Sequence, residues 1–184
     1  MSRLNLSAAL ALGIAAATLQ PAVSSAQQAS TVGGPASLVP ADLEFVLKAA
    51  DDGLAEVALG NLAQEKAGSD EVKRFGQHMV EDHGKANQEL AQIAAQVATK
   101  PPQQPSEVAK EIEKTLAAYA GREFDEVYIA QQVGAHEVAL ALFEHAAEHA
   151  EAPAVREFAK KQAPVIQEHL EQAQALMKKT GEKG

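Results

Sequence analysis

From Pro40 to the end, the chain carries a single kind of hydropathy pattern: apolar residues recur three and four positions apart, and no alternating, strand-like run occurs. That periodicity predicts an all-α fold of amphipathic helices. Breakers divide it into four long segments and one short one. The first helix is expected from about Asp42, taken as its N-cap, to Ala67, with Gly68 as the stop. Its apolar stripe reads Leu43, Leu47, Ala50, Leu54, Val57 and Asn61. The second opens at Ser69, with Asp70 and Glu71 in the first turn where the helix dipole favours acids. Its stripe is Val72, Phe75, Met79, His83, Ala86, Leu90, Ile93 and Val97.

A proline-rich linker from Thr99 to Pro105 follows, then a short helix capped by Ser106 that reaches about Tyr119 and ends at Gly121. The third long helix spans about Arg122 to Ala150 with stripe Phe124, Tyr128, Gln132, Ala135, Ala139, Leu142 and Ala146. The fourth starts at Pro153, a residue suited to a first helical turn, and ends near Lys179. Its stripe is Val155, Phe158, Gln162, Val165, His169, Ala173 and Leu176. Pro164 within it removes one helical hydrogen bond and is expected to bend the helix. Connections that run short, long, short describe a four-helix bundle with one crossover. The crossover segment can reach about 44 Å, against about 42 Å for a long helix, which permits a ferritin-like topology.

Residues 1–26 read as an export signal: Arg3, an apolar run from Leu4 to Leu19, a break at Pro21, and small residues at Ser24 to Ala26 for cleavage after Ala26. The run is shorter than the roughly 20 residues of a membrane span. Residues 27–40 form a Ser-, Gly- and Pro-containing leader, 41–179 the bundle and 180–184 a tail. The chain has no cysteine, which excludes thiolate metal sites and cysteine nucleophiles. Its net charge is −9, without a basic cluster, and this argues against nucleic acid and against an anionic membrane surface. The partners it suits are a metal ion or another protein.

Three of the six histidines lie on or beside inward stripes: His83, His136 and His169. Counted from the turns, they and Glu56 fall within about 5 Å of one level, at mid-bundle. Imidazole and carboxylate suit a divalent transition metal such as Zn, Cu, Mn or Fe, and bundle cores are where such sites are built. Gln132, Asp82 and Asp52 stand where they could support those ligands. The same four residues can equally form a metal-free polar layer that fixes helix register. No Glu-x-x-His motif occurs, which argues against a carboxylate-bridged di-iron oxidase. His145 and His149 are four apart and make a second chelating pair or a solvated face; His78 and Asp82 read as a surface hydrogen bond. Phe124, Asp125 and Tyr128 cluster at the start of the third long helix, where Asp125, about 16 Å along the axis from His136, is too far to share its site, and Tyr128 is either core packing or a redox tyrosine. Nucleophile, phosphate-loop and dinucleotide motifs are absent, so no catalytic residue is assigned.

Gly53-Leu54-Ala55-Glu56, the run His78 to His83, Phe124-Asp125 with Tyr128, His136, and Pro164 with His169 together resemble the exported proteins grouped as Domain of Unknown Function 4142. The resemblance extends over about Asp42 to Met177. It implies a ferritin-like bundle in the periplasm or cell envelope, and no established activity. Members often carry an outer-membrane label, which fits poorly with a chain that has no barrel-like alternation and no cysteine to lipidate. Two roles follow: metal buffering or stress protection at the histidine layer, or a metal-free envelope-stress or protein-interaction module.

Overall fold

A computed structural model describes residues 37–181. The expected signal segment, nearly all of the leader and the last residues of the tail lie outside the described residues. Within them the chain is all-helical: α1 (Pro40–Lys66), α2 (Asp70–Gln96), α3 (Glu107–Leu116), α4 (Gly121–His149) and α5 (Pro153–Gly181). None of these helices is long and apolar enough to cross a membrane.

Local side-chain caps account for two helix starts. The Ser69 hydroxyl accepts the N–H of Val72, and the Ser106 hydroxyl accepts that of Ala109, satisfying orphan donors at the starts of α2 and α3. Two expected ends move. Asp42 is not the cap of α1; the helix begins earlier, at Pro40, with Val39 as an N-cap that makes no side-chain bond. Nor does Gly68 stop α1, because Ala67 has already left the helix in an extended conformation. Gly121, expected to end the short helix, instead opens α4 with a left-handed φ of 62°, which glycine adopts without steric cost. α5 runs unbroken through Pro164.

Asp42 has a longer-range task. It is buried, and its carboxylate accepts the N–H groups of Glu151 and Ala152 at 3.2 and 2.7 Å in the α4–α5 turn. Asp125 does the same for the other turn, accepting from Gly68 and Ser69 at 2.9 Å each. Each early-helix carboxylate thus clamps the turn of the opposite hairpin. These clamps also fix direction. The start of α1 meets the end of α4, and the end of α1 meets the start of α4, so α1 and α4 are antiparallel and α2 runs parallel to α4. α1 packs along α2 and α4 along α5, and the two hairpins touch through α1 with α4 and α2 with α5.

Small residues let the first hairpin close tightly. A Cβ on Gly60 would stand 2.5 Å from the Gly76 carbonyl oxygen, so both positions need glycine for the helices to approach. The structure also corrects the face of α1. Its buried face is Phe45, Ala49, Gly53, Glu56, Leu59, Gly60 and Ala63, whereas Leu47 and Asn61 of the expected stripe are exposed and Leu43, Leu54 and Val57 only half-buried. Its smallest residues allow the close approach to α2, while Phe45, Val46, Leu59 and Leu62 enter the core clusters.

Two apolar clusters fill the interior. One holds Phe45, Phe143 and Phe158, with ring centroids 5.0 to 6.5 Å apart, together with Leu90 and Val155. The other holds Phe75, Met79, Phe124, Tyr128 and Leu170, joined by Leu116 from α3. Each large side chain so buried contributes about 1.5–3 kcal/mol. Between the clusters lies a polar layer.

Candidate metal centre

That layer is built by three helices. α2 supplies His83, α4 supplies His136 and Gln132, and α5 supplies His169, while α1 faces them with Gly53 and Glu56. The three imidazole rings form a near-equilateral triangle, with centroids 5.4, 5.5 and 5.7 Å apart. One nitrogen from each lies within 4.8 Å of the others. The turn-counting expectation of a shared level therefore holds for all three histidines, which meet at one point.

Their hydrogen bonds decide which nitrogens face that point. His136 Nδ1 lies 2.9 Å from the Gln132 carbonyl oxygen, which only accepts, so Nδ1 carries the proton and Nε2 holds the lone pair. His169 Nε2 stands 3.2 Å from Asp82 Oδ2 and donates to that carboxylate, leaving the lone pair on Nδ1. His136 Nε2, His169 Nδ1 and His83 Nε2 are all buried without a hydrogen-bond partner. His83 as a whole is half-buried, yet its Nε2 is sealed from solvent.

Burial favours the neutral form of His83 and His169. Burial, with the nearby His136 and His169, pushes His83 down to about 3 from the ordinary 6.5. Burial and His136 also lower His169, against the opposing pull of Asp82. Burial alone would raise Asp82, but the hydrogen bond from His169 and the nearby Lys85 outweigh it and hold the carboxyl below its ordinary range. Glu56 is raised, since burial prevails over its attraction to His136 and the hydrogen bond from Gln132.

Glu56 faces inward, on the buried side of α1, and accepts Gln132 Nε2 at 2.8 Å. It borders the same cavity as the histidines but is not among the three residues whose ligand atoms lie mutually close. Gln132 supports both Glu56 and His136, as expected. Asp82 supports the site differently from expectation: it reaches across to His169 on α5 rather than to the adjacent His83. Asp52 turns to Lys48 on the surface, and His78 is exposed, with Asp82 engaged by His169 and Lys85 instead. His145 and His149 face each other at 4.6 Å on the exposed side of α4. Tyr128 is core packing, stacked on Phe124 at 5.3 Å, with its hydroxyl buried and unpartnered and its ionisation suppressed by burial and by Glu56. Asn87 was not singled out by the sequence; it lies against Gly53, where any Cβ would strike its amide.

Three imidazoles from separate helices, two of them oriented by a carbonyl and a carboxylate, are the donor set that borderline divalent metals take. Tetrahedral coordination wants such nitrogens about 3.3 Å apart, so small side-chain rotations suffice to close the triangle. Fold and layer together define an all-helical protein with a buried three-histidine cluster. The chain belongs to the family described as a domain of unknown function (DUF4142), whose model matches residues 25–176. Neither a curated protein nor a solved structure matches it.

Proposed function

We propose that this protein is an exported, ferritin-like four-helix bundle that binds one divalent transition metal (Zn, Cu, Mn or Fe) through His83, His136, His169 and Glu56, and that it serves metal buffering or stress protection in the periplasm or cell envelope. The observation that carries the reading is the convergence of three unpartnered, buried imidazole nitrogens within 4.8 Å. Leaving a buried polar atom unsatisfied costs about 1–3 kcal/mol. A layer that merely fixed register would be expected to pair its imidazoles with one another, yet these nitrogens make no such bond.

Each participant has a defined task. His83 is neutral well below pH 7, so it offers its lone pair without first losing a proton. The Gln132 carbonyl and Asp82 hold His136 and His169 with the correct nitrogen inward. Glu56 supplies negative charge, and a cation beside it would reverse the effect of burial and favour its carboxylate form. The antiparallel clamps at Asp42 and Asp125 support the crossover topology that the ferritin-like reading requires.

Thermal unfolding of metal-stripped protein, with and without stoichiometric Zn, Cu, Mn or Fe, tests this. A ligand that binds only the folded state raises the midpoint. An upward shift with at least one metal, abolished in His83→Ala/His169→Ala, is expected. No shift with any of them would reduce the cluster to a polar layer and turn attention to protein partners.

A further inference from the structure

The histidine layer opens into a cavity of about 500 Å³ that its own chemistry does not require. A water molecule takes up about 30 Å³, and pockets for small organic ligands begin near 300 Å³. The cavity is bordered by His83, His136, His169 and Glu56 and lined by residues of all five helices, with Ser106, Val108, Ala109 and Ile112 of the α3 segment among them. It exists because the facing walls there carry small side chains: Ala49, Gly53 and Ala55 on α1, Ala135 and Ala139 on α4. The short helix α3 spans the gap as a roof. Its start is pinned by the Ser106 N–H bonded to Asp51 at 2.7 Å, and its end by Leu116 in the lower core. Val108 of α3 and Val138 of α4 border the mouth and are 73 % and 66 % exposed.

The arrangement of ligands gives this space a role. The imidazoles come from α2, α4 and α5, whereas α1 brings no imidazole to the layer and has Gly53 at the same level. α1 instead brings Glu56, so the layer offers three imidazoles and one carboxylate, and the cavity that borders all four leaves room for one further ligand. The lining also selects by charge. Among the described residues Lys48 is the one lysine or arginine that borders the cavity, and it is paired with Asp52, while Asp51, Asp52 and Asp82 also border it, so an anion gains little from the walls. Apolar walls favour an apolar body.

Resting on the metal centre proposed above, we propose that this cavity is a binding site for a small, uncharged molecule with an apolar body and one nitrogen or oxygen donor, which enters beneath α3 and coordinates the metal as a further ligand. The fold then holds the metal with three imidazoles and Glu56 and presents it to one further, exchangeable ligand.

Imidazole titrated into the cobalt(II)-loaded full chain is the probe, read by visible absorption. Imidazole should shift the cobalt bands. Ala109→Trp and Val138→Trp, which fill the roof and mouth without touching the cluster, should bind cobalt as the parent does but weaken imidazole at least about tenfold. Azide, a small anion, should bind more weakly than imidazole. Cobalt bands unmoved by imidazole, equal imidazole affinity in both filled variants, or a preference for azide would each overturn the proposal. Failure of cobalt itself to bind would instead overturn the metal centre, which the first titration reads separately.

Discussion

Lowering the pH should weaken the metal-free fold through His83. In the unfolded chain this ring takes up a proton near its ordinary value of 6.5, whereas in the folded protein it does so only at about 3. Between those values the unfolded state holds the extra proton, so stability falls as pH falls through the window, and the loss is complete below about 3. The expected loss is about 1 kcal/mol at pH 5.5 and roughly 3 kcal/mol at pH 4.5. His169, also lowered, acts in the same direction. Glu56 opposes both: its raised folded value means that the folded state takes the proton first on acidification. The His83 contribution is isolated by comparing urea unfolding of the metal-stripped protein with His83→Gln, which cannot titrate, at about pH 7, 5.5 and 4.5. The stability gap between the two should shift against the parent by the amounts above. A gap that stays constant with pH would mean that His83 protonates freely in the folded state and that its ring nitrogen is not sealed in the layer.

Asp125→Ala should cost about 2–4 kcal/mol in urea unfolding, because two N–H groups of the α1–α2 turn lose a buried, charged acceptor. Asp82→Asn should leave metal-free stability within about 1 kcal/mol of the parent, since the carboxylate is partly exposed, while metal affinity measured by chelator competition drops about 10- to 100-fold as His169 loses its orienting partner.

The depth of the histidines was legible in the sequence because the rise per residue of a helix is constant, so distance from a turn converts directly into height in the bundle. The inward face of α2 was legible as well, since Val72, Phe75, Met79 and Leu90 are large enough to mark it. The face of α1 was not. There Phe45, Val46, Leu59 and Leu62 mark the buried face, while Leu47 is exposed and Leu54 half-buried, and the close approach at Gly60 and Gly76 involves residues too small to mark a stripe. The same misreading hid the inward aim of Glu56. Asp42 looked like a cap because it is an aspartate at a helix start, but its partners lie more than a hundred residues away, beyond any local pattern. Likewise, Asp82 beside His83 suggested a local pair, whereas helix geometry sends neighbouring side chains in different directions and delivers Asp82 to His169. Which nitrogen each ring turns inward depends on such contacts and leaves no trace in spacing.

The central claim is that His83, His136 and His169 hold a metal, and X-ray absorption of the protein loaded with one equivalent of zinc tests it most directly. The account predicts three imidazole nitrogens at about 2.0 Å with the outer-ring scattering that imidazole gives, completed by oxygen. A shell of oxygen alone, or one whose imidazole signal survives in His83→Ala/His169→Ala, would place the metal elsewhere and contradict the account.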